Sequence, residues 1–222
     1  VDADGNIGQG IEMMGQMDRA LKKMGVPVLL KHAADRLVTD DSGRVIGLIA
    51  KHGDQEVAIK ANKGVIFASG GYSHNTGYVA DFQRMAVDGS CAMPVSTGDF
   101  LKIASDVGAK MGNMSSAWRM QLPFEQATAT RAVPAGVFYV PGDSMLQVNK
   151  YGHRVVNEKR NYNDRSEIHG VYDPGKAEFT NHLMFMVYDQ RTAEAFAGNF
   201  PIPVTPGSDA HTVSGDSVSE LS

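Results

Sequence analysis

Apolar positions recur at helical spacing near the start of the chain. Ile11, Met14, Met17, Leu21 and Met24 fall on one face of a helix from Ile11 to Met24, and Gly25 stands where it would end. Such a stripe is expected to pack into a core. The pattern then shortens. Val26 to Leu30 reads as a brief apolar strand, and strands from Asp35 to Thr39 and from Arg44 to Lys51 flank the turn Asp40-Asp41-Ser42-Gly43. A second turn, His52-Gly53-Asp54, leads into a strand from Glu56 to Lys60. Gly64 to Ala68 is a continuous apolar run closing on Ser69-Gly70-Gly71, the profile of a strand covered on both faces of a parallel sheet. Asp99 to Lys110 is the next helix, with Phe100, Ile103, Ala104 and Val107 inward and Thr97 or Asp99 as its cap. After about Ser116 the sequence turns irregular and Pro-spaced, with strands expected near Gly136 to Val140, Ser144 to Asn149 and Leu183 to Tyr188. A domain boundary is placed near Trp118, dividing residues 1–118 from 119–222.

Composition narrows the function classes. The 222 residues are long enough for one large domain or two smaller ones, and 42% hydrophobic with 21% charged residues is ordinary for a folded soluble chain. No apolar run reaches the length of a membrane span. The net charge of -4 argues against a general nucleic-acid binder, which needs a Lys/Arg excess. A single cysteine, Cys91, permits no internal disulfide, and the seven histidines show no paired metal-ligand spacing, so no metal is expected and a reducing cytoplasm is the default location. Val1 is not an initiator Met, and Ser217-x-x-Glu220 near the other end is a capping-box pattern; together they suggest an internal piece of a longer protein.

Two stretches carry candidate chemistry. Glycine accounts for 24 residues, above the usual share of about 7%, and two of its clusters stand after a strand or before a helix. At Ser69-Gly70-Gly71 and Ser96-Thr97-Gly98-Asp99, missing side chains would let backbone N–H groups approach a phosphate, although a tight strand exit and an ordinary helix cap explain the same residues. Gly5-x-x-Gly8-x-Gly10 lacks the preceding strand that a dinucleotide fingerprint needs. The second stretch starts with the Gly turn of Asn149 to Arg154 and runs to Arg165. It holds Lys150, Arg154, Lys159, Arg160 and Arg165 against Glu158 and Asp164, a basic excess in an acidic chain. Tyr162 lies among Arg160, Asp164 and Arg165, and nearby positive charge is what a tyrosine needs to act as acid or base. A solvated ion-paired loop remains the competing account.

Read in order, several segments resemble the FAD-dependent fumarate reductase/succinate dehydrogenase flavoprotein family, which includes the 3-ketosteroid dehydrogenases. They are Gly43-Arg44-Val45-Ile46-Gly47, Lys60 to Asn75, Thr97-Gly98-Asp99 with Gly108-Ala109, and Gly152-His153-Arg154-Val155-Val156-Asn157-Glu158. The resemblance covers nearly the whole chain. It implies part of a glutathione-reductase-like βα FAD-binding domain followed by an α+β capping domain, a mixed α+β and α/β architecture with substrate held between cap and flavin. It also implies that Ala68, Ser69, Gly70 and Gly71 run beside the FAD, that Thr97, Gly98 and Asp99 contact it, and that the backbone near Ala34 lies by the adenine. FAD is then expected in the intact protein and not in this piece alone.

Departures from the family pattern point to a branch. Fumarate reductases grip a dicarboxylate with a His-Pro element and a Thr-Glu-x-x-Arg element, where this chain has Trp118-Arg119-Met120-Gln121-Leu122 and Tyr139-Val140-Pro141-Gly142-Asp143. Four residues after the hairpin glutamate they carry an arginine, whereas this chain is similar to ketosteroid dehydrogenases in having a tyrosine, Tyr162. A ketone needs only hydrogen-bond donors and an acid/base, not arginine clamps. The resemblance therefore implies a small-molecule substrate of the cyclic-ketone or steroid type, with Tyr162 moving a proton and Arg160 or Arg165 favouring its phenolate. Asn157 and Glu158 are expected to pin the loop, and Arg119 to form an ion pair or orient substrate. The alternatives are a fumarate- or urocanate-type reductase of an unsaturated acid, and a flavin-free interaction domain.

Overall fold

The computed structural model describes residues 9–205 and 211–221. Gly5 and Gly8 therefore lie outside the described residues. The chain forms two compact units, residues 1–66 and 67–222.

In the first unit α1 spans Gln9–Lys23 and is followed by a three-stranded antiparallel sheet, β1 Ala33–Thr39, β2 Val45–His52 and β3 Gln55–Lys60, in that order. The two turns stand where their Asp, Ser and Gly residues require them. The Asp40 carboxylate accepts from the Ser42 and Arg44 N–H groups and the Ser42 hydroxyl, closing the first turn. The register runs from Ala33 opposite Lys51 to Thr39 opposite Val45, with a bulge at Asp35.

Three expectations for this unit and its end are corrected. Val26 to Leu30 form no strand, because no described strand pairs with them: Val26 N–H donates back to Leu21 O at 3.0 Å, and Leu30 is exposed. Gly64 to Ala68 form no strand, and Ile66 is 93% exposed. A strand covered on both faces needs strands at both edges, and none is present among the described residues. The Met stripe of α1 is open to solvent: Ile11 is 89% exposed, and Met14, Met17 and Met24 are exposed too.

The second unit holds short helices joined by long irregular connections. In chain order these elements are α2 Thr76–Phe82, α3 Asp99–Ser105, α4 Phe124–Ala129, β4 Met145–Asn149, α5 Tyr162–Ser166, β5 Tyr172–Asp173, β6 Glu178–Phe179, β7 Met184–Tyr188 and α6 Gln190–Ala195. α3 is shorter than its pattern suggests and buries Leu101, Ile103 and Ala104; its cap position is Gly98, with no side-chain cap bond. Gly136 to Val140 form no strand, yet Val137 and Val140 are buried. With Met145 and Ile202 they make the core against which Met186, Tyr188, Phe196 and Phe200 pack. β4 pairs antiparallel with β7, from Met145 opposite Tyr188 to Asn149 opposite Met184, and the Gly152 turn folds Arg154 back against Val148.

The architecture is thus a mixed α+β one. The named strands all pair antiparallel, and the parallel strand expected at residues 64–68 is absent among the described residues.

Candidate functional site

The second unit brings the two glycine loops together. His74 N–H donates to Ser96 O at 3.1 Å, and the Asn75 amide donates to Thr97 O at 3.1 Å. Gly70 has φ +82, and a Cβ there would stand 3.0 Å from Ser96 Oγ. Gly98 has φ +81, and its Cβ would come within 2.7 Å of Tyr72 Cβ. Only glycine meets both demands, positive φ and close approach. Thr97 Oγ1 donates to Asp99 Oδ1 at 2.8 Å, holding the exposed carboxylate at the first residue of α3. Ala68, Ser69, Gly70 and Gly71 are exposed, and no backbone N–H from Gly64 to Gly71 donates to a described residue. Bare backbone with free donors, flanked by glycines that a Cβ would jam, fits a cofactor that must lie close to the chain. Ala34 lies at the bulged end of β1 in the first unit.

Tyr162 opens α5, half-buried between two aromatic rings. Trp118 lies parallel to it, centroids 6.4 Å apart and planes 10° apart, and Phe138 meets it edge-on at 5.1 Å. Trp118 is 77% exposed and Phe138 is exposed as well, so the cluster presents an open aromatic surface. Among the described residues nothing hydrogen-bonds to the Tyr162 hydroxyl, while its backbone carbonyl accepts from Ser166 Oγ at 2.6 Å.

The two flanking arginines part company. Arg165 is fully buried, and its guanidinium donates to Glu158 O at 3.0 Å and to Val137 O. Burial pulls its pKa down from the ordinary arginine value. It ties α5 to the irregular segment carrying Phe138, and the Tyr162 hydroxyl is not among its partners. Arg160 is exposed, has no ion-pair partner among the described residues, and lines an open pocket of about 570 Å³ with Val155, Asn157, Asp164 and Ile168.

The hairpin before them is pinned as its residues suggest. Glu158, 3% exposed, accepts from Gln147 N–H at 2.8 Å and takes a two-point grip from Arg154 at 3.0 and 2.7 Å. Burial pushes its pKa up, but the Arg154 and Gln147 hydrogen bonds outweigh it and leave it below the usual value. Asn157 Oδ1 accepts from Lys159 N–H.

Several residues of this arrangement carry no sequence signal of their own. The Gln147 amide donates to Gln121 Oε1 at 2.8 Å, and Gln121 Nε2 meets His169 Nε2 at 3.0 Å. An amide nitrogen can only donate, so His169 is neutral with its proton on Nδ1, which donates to His182 O at 3.0 Å. Burial also holds the His169 pKa below its ordinary value. Trp118 is marked in sequence only as part of a departure from the family pattern, and Phe138 only as part of the strand expected at residues 136–140.

Comparisons with known proteins identify the chain's family and fold. Over 211 residues the chain is 29% identical to the 3-oxosteroid 1-dehydrogenase of Mycolicibacterium smegmatis, covering 88% of this chain and 35% of that protein. It is 26% identical over 200 residues to the 4-oxocyclohexanecarboxylate 2-dehydrogenase of Sinomonas cyclohexanicum, covering 86% of this chain and 34% of that one. Its fold is similar to that of the 3-ketosteroid delta4-(5alpha)-dehydrogenase from Rhodococcus jostii, solved in complex with 4-androstene-3,17-dione, with a TM-score of 0.66 at 23% identity over 90% of this chain and 38% of that one. The chain therefore spans about a third of the length of these relatives. Residues 1–201 match the model described as FAD binding domain, and the chain belongs to that family.

Proposed function

We propose that this chain is part of a FAD-dependent oxidoreductase that forms or removes a C–C double bond next to the carbonyl of a cyclic ketone. The observation that carries the reading is Tyr162, held between Trp118 and Phe138 with its hydroxyl unclaimed by any described residue. Exposed aromatic faces suit a flat alicyclic ring, which offers apolar area and one polar oxygen. The 3-oxosteroid and 4-oxocyclohexanecarboxylate enzymes named above are dehydrogenases of oxo compounds by name, which supports a ketone substrate here.

FAD, when bound, exchanges a hydride at one carbon of the bond. Residues Ala68 to Gly71, Thr97, Gly98 and Asp99 would hold it, with Ala34 near the adenine. Tyr162 moves the proton at the neighbouring carbon: in desaturation the C–H electron pair left behind becomes the new C=C bond, and the phenolate oxygen takes the proton. Arg160 and Arg165 flank Tyr162 in sequence: Arg160 is exposed and lines the open pocket, while Arg165 is buried and holds α5 in place through Glu158 O and Val137 O. Residues 1–118 then serve as the cofactor part and 119–222 as the cap that excludes water.

The arginines weigh against an unsaturated-carboxylate reductase. A carboxylate clamp needs free guanidinium N–H pairs. Arg119, Arg131 and Arg165 direct theirs at Glu167, Gln83 and backbone carbonyls, while Arg160 beside α5 has no ion-pair partner among the described residues.

The test is to add saturated cyclic 3-ketones, without oxygen, to the oxidised FAD-loaded protein carrying this chain while flavin absorbance is recorded. Bleaching is expected, and Tyr162→Phe should slow it by about 100-fold or more. Undiminished bleaching in that variant would remove Tyr162 from the chemistry.

A further inference from the structure

A half-buried knot of polar side chains joins the first glycine loop to the segment carrying Tyr162. Tyr72 follows Gly71 directly, and its hydroxyl donates to Met114 O. The Gln83 amide nitrogen donates to that hydroxyl and, at 3.2 Å, to Met114 O. Its oxygen accepts from Arg119 Nη2 at 2.7 Å. Arg119 Nη2 also donates to Ser115 O at 3.1 Å, and Nη1 reaches Glu167 at 3.1 Å. Glu167 opens the short 3-10 turn that continues α5 without a break. The Arg119 side chain is 16% exposed.

The knot admits one orientation. The nitrogen of Gln83 faces two oxygens and its own oxygen faces a guanidinium, so a flipped amide would oppose like groups at each contact. Arg119 spans three acceptors lying in different directions, which a planar guanidinium fork reaches and an ammonium does not. The residue beside it in sequence is Trp118, the ring stacked on Tyr162. One guanidinium thus fixes three things: the segment after the glycine loop through Gln83, the backbone at Ser115 leading to Trp118, and the turn that extends the Tyr162 helix.

We infer that Arg119 is a positioning residue that holds the cofactor loop and the Tyr162–Trp118 pair in one register, so that proton and hydride transfer act on the same C–C bond. The inference rests on the proposed reading, in which FAD lies at the glycine loops and Tyr162 moves the proton. It differs from a substrate role for Arg119, because its terminal nitrogens are committed to protein acceptors. Displacing a reacting group by about 1 Å costs on the order of 100-fold in rate, and that sensitivity makes the knot testable.

The experiment compares wild type, Arg119→Lys and Tyr72→Phe as FAD-loaded proteins carrying this chain. FAD content, Tm, the saturated rate of flavin bleaching by a cyclic 3-ketone, and KM are measured for each. Tyr72→Phe opens the knot at its far end while keeping the ring that packs against Tyr78 and Phe82, so it serves if Arg119→Lys does not fold. Trp118 is the only tryptophan in this chain, and its emission, read as the difference from Trp118→Phe, reports the stack directly. Arg119→Lys should load FAD and bind ketone within about twofold of wild type, shift the Trp118 emission, and lower the saturated rate about 10- to 100-fold. A saturated rate per bound FAD equal to wild type in both variants would overturn the inference, even if Tm fell, because Arg119 would then act on stability alone. A wild-type protein that loads FAD but is bleached by no ketone would overturn the functional reading itself, and the positioning role with it.

Discussion

At the scale of single residues, the site is built from positions where one atom more would fail. Gly98 has positive φ and no room for a Cβ beside Tyr72, whereas Gly108 has φ +77 with nothing within 4 Å of where its Cβ would be. The pair separates backbone strain from steric conflict. Alanine at either position carries the positive-φ cost of about 1 kcal/mol or more, but only Gly98→Ala also pushes Tyr72 away from Met114 and Gln83. Gly98→Ala is therefore expected to lower the urea midpoint by the equivalent of about 2 kcal/mol or more beyond Gly108→Ala, and to lose bound FAD. Equal midpoints for the two variants would mean that the Tyr72 contact relaxes freely. Tyr162 presents the opposite case. Its hydroxyl is left open while its ring is gripped, so Tyr162→Phe should cost activity with little change in stability, since neither ring contact is lost.

At the scale of elements, the hairpin from Met145 to Glu158 depends on one buried carboxylate. The Glu158 pKa is depressed in the fold relative to about 4.3 in the unfolded chain. The unfolded state thus binds the proton more readily. The stabilisation from Glu158 is fully present above about pH 5 and is lost as pH falls through the lower folded value. Denaturant unfolding from pH 7 down to 3 should show this loss, and Glu158→Gln should lower stability by about 1–3 kcal/mol at neutral pH while flattening the acid limb. An unchanged acid limb in the variant would place the acid sensitivity elsewhere. The elements that could be read from sequence are the ones whose instructions are local. β1, β2 and β3 are joined by short Asp, Ser and Gly turns, and the bonds that close the Gly152 turn and pair Arg154 with Glu158 join residues two to four positions apart. Val26 to Leu30 and Gly64 to Ala68 have strand composition without partners, and composition does not supply a neighbour. The aromatic surface at Tyr162 draws its rings from residues 118, 138 and 162, which no periodicity links. The basic flank of Arg160 and Arg165 and the family pattern marked Tyr162, and only the folded chain placed Trp118 upon it.

At the scale of the whole molecule, apolar surface is divided unevenly. The second unit closes a core of Val137, Val140, Met145 and Ile202 and buries a polar network through Gln147, Gln121 and His169. In the first unit α1 leaves Ile11, Met13, Met14, Met17 and Met24 exposed. A helix of 15 residues is marginal in water unless packing supports it, because nucleation is costly and propensity alone returns little. The 222-residue chain studied by itself should therefore bind the apolar dye ANS and exchange the amides of residues 9–23 within seconds to minutes. The amides of β4 and β7, hydrogen-bonded beside the core, should hold out far longer. Replacing Met14 and Met17 together by Glu should lower the dye binding while leaving the melting of the second unit unchanged, since neither side chain is part of its core. Slow exchange across residues 9–23 with no dye bound would mean that the stripe is covered in solution, by a second copy of the chain or by a rearrangement of the first unit, and sedimentation would tell these apart.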